Sequence, residues 1–549
     1  MMAEAVRSNP KKTFLSGVLL LSMSTVLVKV LGLIYKIPML TYLGSEGMGY
    51  FNSAYEIYAL FCVIASAGLP VALSVLISSS VARGEEERVP AIYRASMTIF
   101  VWIGILGTAI MLFLAGFFCR LIKSEHAYYC ILSIAPTVFF VCISSGVRGY
   151  FQGYQKMLPT AVSQLLESVG KLVFGLLLAR FALHRGYTTS VVAAFAGLGL
   201  TLGSAFSMLY LLLEKRRFSQ RNPWHSARKN TENTEKSSKI WKRLARLAIP
   251  MTLGASLVSM TKLIDMTMIL RRLQSIGYTE IAANEAYGSY TTLALSVYGL
   301  LPALINAVAL PLVPMLSSSI ASGDRHRQAE MIRMSYRITA TLAIPTALGI
   351  SAFARPILSI LFGSDPQAVS FAAPLLSYLG VSVFLSCMIT ATNSVLHAYQ
   401  EVHRPIRSML FGAAVKVAGA YLLIGIPQIG LVGAPISTFF CNAIVVLLNL
   451  GFVSALCPIG KLKALFLKPL LAAALSVGLS MWVYWLVERH AWAGGAIALA
   501  FLVAVSAYLL LACFLGVICR EDVRLLPMGD RLCHALQRTG ILRKTEDKK

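Results

Sequence analysis

Eight ionisable side chains stand inside long apolar stretches of this sequence: Lys29, Lys36, Glu56, Glu167, Lys171, Lys262, Asp265 and Lys416. A charge at the centre of a membrane-spanning helix costs about 2.5–3.5 kcal/mol on insertion scales, so each needs a partner or a hydrated cavity. Glu167 and Lys171 are four residues apart in the favourable order, and Lys262 and Asp265 are three apart, so both pairs are expected to neutralise themselves on one helix face. Lys36 lies toward the end of its stretch and is expected to snorkel to the surface. Lys29, Glu56 and Lys416 have no opposite charge three or four residues away. Even with Lys29 set against Glu56, five lysines face three carboxylates. A cationic surplus in an apolar interior suits an anion, the phosphate type above all, and suits a cationic drug poorly. Lys29, Lys36, Glu56, Lys262 and Asp265 are therefore the first candidates for binding residues, with Glu167, Lys171 and Lys416 as secondary ones.

The elements that must position these charges are helices in a bilayer. Of 549 residues, 57% are hydrophobic and 13% charged, with mean hydropathy +0.71, too apolar for a wetted surface. Apolar runs long enough to cross about 30 Å of hydrocarbon recur at 14–37, 50–78, 92–118, 127–147, 160–183, 188–213, 245–270, 286–316, 334–354, 370–397, 407–426, 431–455, 468–487 and 493–518. None alternates as a β-barrel strand does. The sequence thus reads as an all-α integral membrane protein of about fourteen transmembrane helices, the first retained and not cleaved as a signal peptide. Lysine and arginine gather in alternate breaks, and eleven fall between Glu214 and Arg246, which places both termini in the cytoplasm. That basic segment is expected to set topology or meet anionic headgroups, not nucleic acid. The ten cysteines form no CxxC or metal spacing, and no Walker A loop, GxGxxG, HExxH or GxSxG motif occurs, so neither an enzyme nor a metal or cofactor site is expected. Asn306, Asn393, Asn442 and His397 are expected to be interhelical hydrogen-bond partners, and Gly68, Gly254 and Gly412 to mark kinks and close packing.

The chain is written twice. ISSSVARGE (77–85) returns as LSSSIASGD (316–324), each with a Leu-Pro upstream, at Leu69-Pro70 and Leu310-Pro311. Tyr154-Gln155 and Lys171 return as Tyr399-Gln400 and Lys416, and Lys29 and Gly44 are spaced as Lys262 and Gly277 are. Helices 1 to 6 therefore repeat as helices 7 to 12 in the same orientation, an even-numbered parallel repeat suited to alternating access. The expected organisation is a lobe over 1–213, a basic cytoplasmic linker over 214–246, a second lobe over 247–456, two further helices over 457–518 and a basic cytoplasmic tail over 519–549.

KKTFLSGVLLLSMSTVLVKVLGLIYKIPMLTYLG, AGLPVALSVLISSSVARGE and especially RGYFQGYQKMLPTAVSQLLE (148–167) resemble the stage V sporulation protein B branch of the multidrug/oligosaccharidyl-lipid/polysaccharide exporter superfamily, which also holds the bacterial lipid II flippases. The resemblance covers nearly the whole chain. It implies two six-helix bundles around a cationic cavity lined chiefly by helices 1, 2, 7 and 8, with two extra helices beside a groove for a polyprenyl tail. Lys29 through Lys36 match the family's basic residue, VLG and second basic residue, with lysine for arginine and the second position shifted by one. Where lipid II flippases carry arginines in helices 2 and 8, this chain has Glu56 and the uncharged stretch around Val297. The implied function is to flip a polyprenyl-diphosphate-linked saccharide such as the peptidoglycan precursor across a bacterial cell membrane. The implied partners are that lipid-linked substrate, membrane lipids, a coupling Na+ or H+ and cell-wall synthesis proteins. Two alternatives stay open: a cation-coupled drug exporter of the same fold, and a non-transporting scaffold for wall synthesis.

Overall fold

The computed structural model describes residues 10–221, 237–300, 302, 316–317, 319–320, 322–401, 403–458, 463–488 and 493–517. Asn306, Leu310-Pro311, residues 222–236 of the basic linker and the basic tail lie outside the described residues. Among the described residues there is helix and no strand. In chain order the helices are α1 (Pro10–Ser66), α2 (Leu69–Ala82), α3 (Val89–Phe113), α4 (Ala115–Ile122), α5 (Tyr128–Gly153), α6 (Leu158–His184), α7 (Thr189–Arg221), α8 (Ser237–Ser275) and α9 (Glu280–Ser289). A π-helical turn, Tyr290–Ala294, follows. Then come α10 (Arg325–Ala352), α11 (Ala354–Phe362), α12 (Pro366–Ala398), α13 (His403–Ile424), α14 (Gly433–Leu456), α15 (Lys463–Glu488) and α16 (Ala493–Phe514).

Every apolar run read from the sequence falls in this series, except that the eighth, 286–316, is described only in part. Ten helices are long and apolar enough to cross a membrane among the described residues, or eleven if α10 and α11, bent by 75°, form one broken span. The first of the ten, Met23–Ala82, takes in both limbs of α1 and α2. The chain is an all-α integral membrane protein.

The duplication is visible in the backbone. Gly44 (φ 64°) breaks α1 into two limbs, and Gly277 (φ 105°) follows α8 at the matching place. Gly84 and Gly323 share φ 73°, each donating its N–H to the carbonyl three residues back, at 3.1 Å in both cases. Gln155 (φ 57°) and Gln400 (φ 63°) are non-glycine residues in the left-handed region, each closing a helix with an N–H bond at 2.9 Å to the carbonyl three residues back. Few non-glycine residues adopt that conformation, so its recurrence at aligned glutamines argues for a shared turn.

The chain divides into two compact units, Met1–Thr292 and Leu293–Lys549. This boundary differs from the lobe boundary expected from the sequence repeat, for α8 and α9, expected to open the second copy, pack within the first unit. In the first unit, α2, α3, α5, α7 and α8 share a core that includes Leu73, Ile77, Val89, Phe100, Tyr150, Phe151, Leu211 and Leu244. Apolar side chains gain little by meeting each other in lipid, so close approach by small residues matters more. α6 lies along α7 with Gly170 against Gly203 and Gly175 against Gly199, and a Cβ on any of the four would run into backbone or ring atoms. Gly68 meets Ala248 and Thr252 of α8 in the same way. In the second unit, α10, α12 and α14 enclose Ile332, Tyr336, Met388, Val395 and Val453. There α15 and α16 pack on α10, where Tyr508 donates to the Thr341 carbonyl at 2.7 Å. Asn393 and Asn449 join α12 to α14 at 2.8 Å, and Gly412 lets α13 approach Cys441 and Val445.

Candidate functional site

Seven of the eight candidate residues belong to the first unit. The kink at Gly44 is what brings the two limbs of α1 into one neighbourhood, with Lys29 and Lys36 on the first limb and Glu56 on the second. α6 supplies Glu167 and Lys171, and α8 supplies Lys262 and Asp265. Lys416 is half-buried on α13 in the second unit, where it acts electrostatically on Tyr298, whose hydroxyl accepts from Asn442 at 3.2 Å.

Lys29 and Lys262 are both exposed and lie close enough for each to feel the other's charge. The two lysines aligned by the repeat therefore converge, one from each copy. The expected Lys262–Asp265 pair is not formed: among the described residues Lys262 makes no ion pair. An exposed ammonium keeps most of its hydration and gains little from a neighbouring carboxylate.

Lys36 does not snorkel. Its ammonium is half-buried and donates to the Thr291 carbonyl at 3.2 Å. The acceptor lies in the π-helical turn. Asn52 staples this turn to α1, donating to the Thr291 and Thr292 hydroxyls at 2.8 and 2.9 Å. Glu56 acts on Lys36, together with Lys171, so it is the counter-charge of Lys36 and not of Lys29.

The expected Glu167–Lys171 pair is also absent. Glu167 Oε2 instead accepts from Arg148 Nη2 at 2.8 Å, and its Oε1 accepts from the Ser204 hydroxyl at 3.4 Å. Arg148 donates further to the Ser163 and Ser207 hydroxyls at 2.9 and 3.3 Å. Bidentate-capable guanidinium with two extra acceptors outcompetes a flexible ammonium one turn away on the same helix. Lys171 turns instead into three rings of α1, its ammonium 4.8 Å from the Tyr55 centroid, 4.9 Å from Tyr35 and 5.6 Å from Phe51. A desolvated cation over such faces gains about 2 kcal/mol or more.

Sequence reading missed Arg148, Asn52 and the ring cage. Arg148 opens RGYFQG just beyond the apolar run that ends at 147, yet α5 continues to Gly153 and holds it inside. Asn52, a polar side chain in the second apolar run, carried a readable signal of the same kind as Asn393.

An all-helical membrane fold, with no strand among the described residues, is that of the exporter superfamily the sequence resembles. The chain belongs to the polysaccharide biosynthesis protein family, whose model matches residues 14–320; a second model, MatE, matches 250–422. It is 26% identical over 538 residues to stage V sporulation protein B of Bacillus subtilis (strain 168), covering 95% of this chain and 99% of that protein. It is also 26% identical over 436 residues to the lipid II flippase MurJ of the same organism, covering 76% and 78% of the two chains. Among solved structures its fold resembles a lipid II flippase MurJ in an inward closed conformation, with TM-score 0.68, 16% identity and 90% and 98% of the chains covered. It also resembles an inward-facing multidrug resistance MATE family transporter, with TM-score 0.62, 16% identity and 78% and 98% covered.

Proposed function

We propose that this protein is a flippase that moves a polyprenyl-diphosphate-linked saccharide, of the lipid II type, from the inner to the outer leaflet of a bacterial cell membrane. The observation that carries the reading is the convergence of Lys29 and Lys262, like charges held within reach of each other by helices from the two copies. Like charges repel, so placing them together is useful where an anion comes between them. A diphosphate crossing the bilayer must leave water, and fixed ammonium groups replace part of its solvation. The same cations disfavour a cationic drug as cargo. Names of the relatives, a lipid II flippase among them, point the same way.

In this reading the lobes over 1–213 and 247–456 alternate access, the termini are cytoplasmic, and helices of 457–518 border the polyprenyl tail. No bond is broken. A coupling Na+ or H+, or the membrane potential at about 2.3 kcal/mol per charge per 100 mV, drives the step.

Flipping of fluorescent lipid II in proteoliposomes tests it. The unaltered chain is expected to expose the lipid in the opposite leaflet, Lys29→Ala to abolish this, Lys29→Arg to retain much of it, and Lys416→Ala to have a milder effect. Flipping by Lys29→Ala at the unaltered rate sinks the cationic-site mechanism.

A further inference from the structure

We infer that Arg148 is a positioning residue that withholds Glu167 from Lys171, so that Lys171 stands as an un-neutralised cation available to the anionic headgroup. This rests on the flippase reading and adds the residue that sets the charge of the inner part of the site. Glu167 and Lys171 are four residues apart, close enough to cancel on a helix face. They form no ion pair, because Arg148 of α5 holds the Glu167 carboxylate at 2.8 Å and leaves it to act on Lys171 only from a distance.

The hold is a built one. Ser163 takes the Arg148 Nε–H at 2.9 Å while giving its own hydroxyl proton to the Thr160 carbonyl at 2.7 Å. Ser207 takes an Nη2–H and donates to the Ser163 carbonyl at 2.8 Å. Gly170 against Gly203 sets α7 close enough to α6 for Ser204 and Ser207 to reach the pair. These polar groups fix the Glu167 carboxylate on Arg148.

The consequence is a matter of count. Lys36, Lys171 and Arg148 stand against Glu56 and Glu167, leaving one positive charge over; without Arg148 the same group sums to zero. Among the described residues Lys171 makes no ion pair; its ammonium lies over rings, and Glu167 acts on it only from beyond ion-pair distance. Aromatic faces stabilise an ammonium without cancelling its field, so Lys171 keeps its attraction for an anion.

The test uses the full chain in nanodiscs, with undecaprenyl diphosphate as the probe and thermal unfolding measured in parallel. Arg148→Met frees Glu167 to pair with Lys171, and affinity is expected to fall about tenfold or more, which is about 1.4 kcal/mol or more. Arg148→Lys keeps most of the affinity. Arg148→Met with Glu167→Gln removes both charges, leaves no buried ion without a partner, and is expected to return affinity to within about threefold of the unaltered chain. A merely structural pair would lower the melting temperature of Arg148→Met and leave the affinity of the folded protein unchanged, and that result overturns the inference. So does a double variant that binds no better than Arg148→Met while unfolding at the unaltered temperature. Failure of the flippase reading looks different: the unaltered chain itself does not bind the diphosphate.

Discussion

Single charges in this chain act through neighbours supplied by other helices, and Glu56 shows how that can be measured. Its carboxylate acts on Lys36, which also feels Lys171. Glu56→Gln leaves two cations repelling each other in a half-buried setting, and the melting temperature in detergent is expected to drop. Lys36→Met alone removes the Thr291 carbonyl's donor and is also expected to destabilise. The double variant removes the repulsion and the need for the counter-charge together, so its loss should be smaller than the sum, with a coupling of about 0.5–3 kcal/mol. Additivity to within about 0.5 kcal/mol would show that the two side chains do not work as a pair. Residue types were legible in the sequence for all eight charges, because an ionisable side chain in an apolar run needs no structure to be noticed. Partners were not. Same-helix spacing predicted Glu167–Lys171 and Lys262–Asp265, and in both cases contacts from another helix, or hydration, decided the outcome instead.

At the scale of elements, the duplication was legible because it rests on turns that few residues can make. Gly44 has φ 64° and ψ 177°, a region that side chains with a Cβ essentially do not enter. Glycine there lets α1 break into two limbs, and the ring cage around Lys171 depends on that break, since Tyr35 precedes it and Phe51 and Tyr55 follow. Gly44→Ala is expected to cost about 1–3 kcal/mol of stability and to reduce flipping more than the loss of folded protein explains. Gly32→Ala is the control: nothing lies within 4 Å of a Cβ placed there and its φ is ordinary. Equal melting temperatures for the two variants would remove the kink from the account. The sequence could align Gly44 with Gly277 and Gln155 with Gln400, but not the π-helical turn at Tyr290–Ala294, because a shift from i+4 to i+5 bonding leaves no periodic trace over five residues.

For the whole molecule, alternating access by two copies requires that contacts between them open on one side at a time. Such contacts exist inside the first unit, where α8 and α9 of the second copy meet the first. Gly49 and Gly288 bring backbones together, the former against Asn284 and the latter against Ser45, too close for any Cβ. Arg271 donates to the Leu121 carbonyl at 2.6 Å and Gln274 to the Lys123 carbonyl at 2.7 Å. His126 sets its backbone N–H and its Nδ1 at 3.2 and 2.8 Å from one oxygen of Glu280. Around His126 this seam is made of hydrogen bonds and glycine contacts, while nearer the start of α8 Leu244 joins the apolar core of the first copy. The segment carrying His126 joins the third and fourth apolar runs, so an inside N-terminus puts it on the outer face. If lipid leaves there, the seam must part in each cycle. Cysteines at His126 and Glu280 in a cysteine-free chain, both side chains being partly exposed at 53% and 27% in the unaltered protein, are expected to be bridged by a short impermeant bis-thiol reagent added outside. Bridging should stop flipping, whereas the same reagent on either single variant should not. Undiminished flipping by the bridged protein would mean that the outer exit lies elsewhere, and failure to react in sealed cells would reverse the orientation that the basic loops imply.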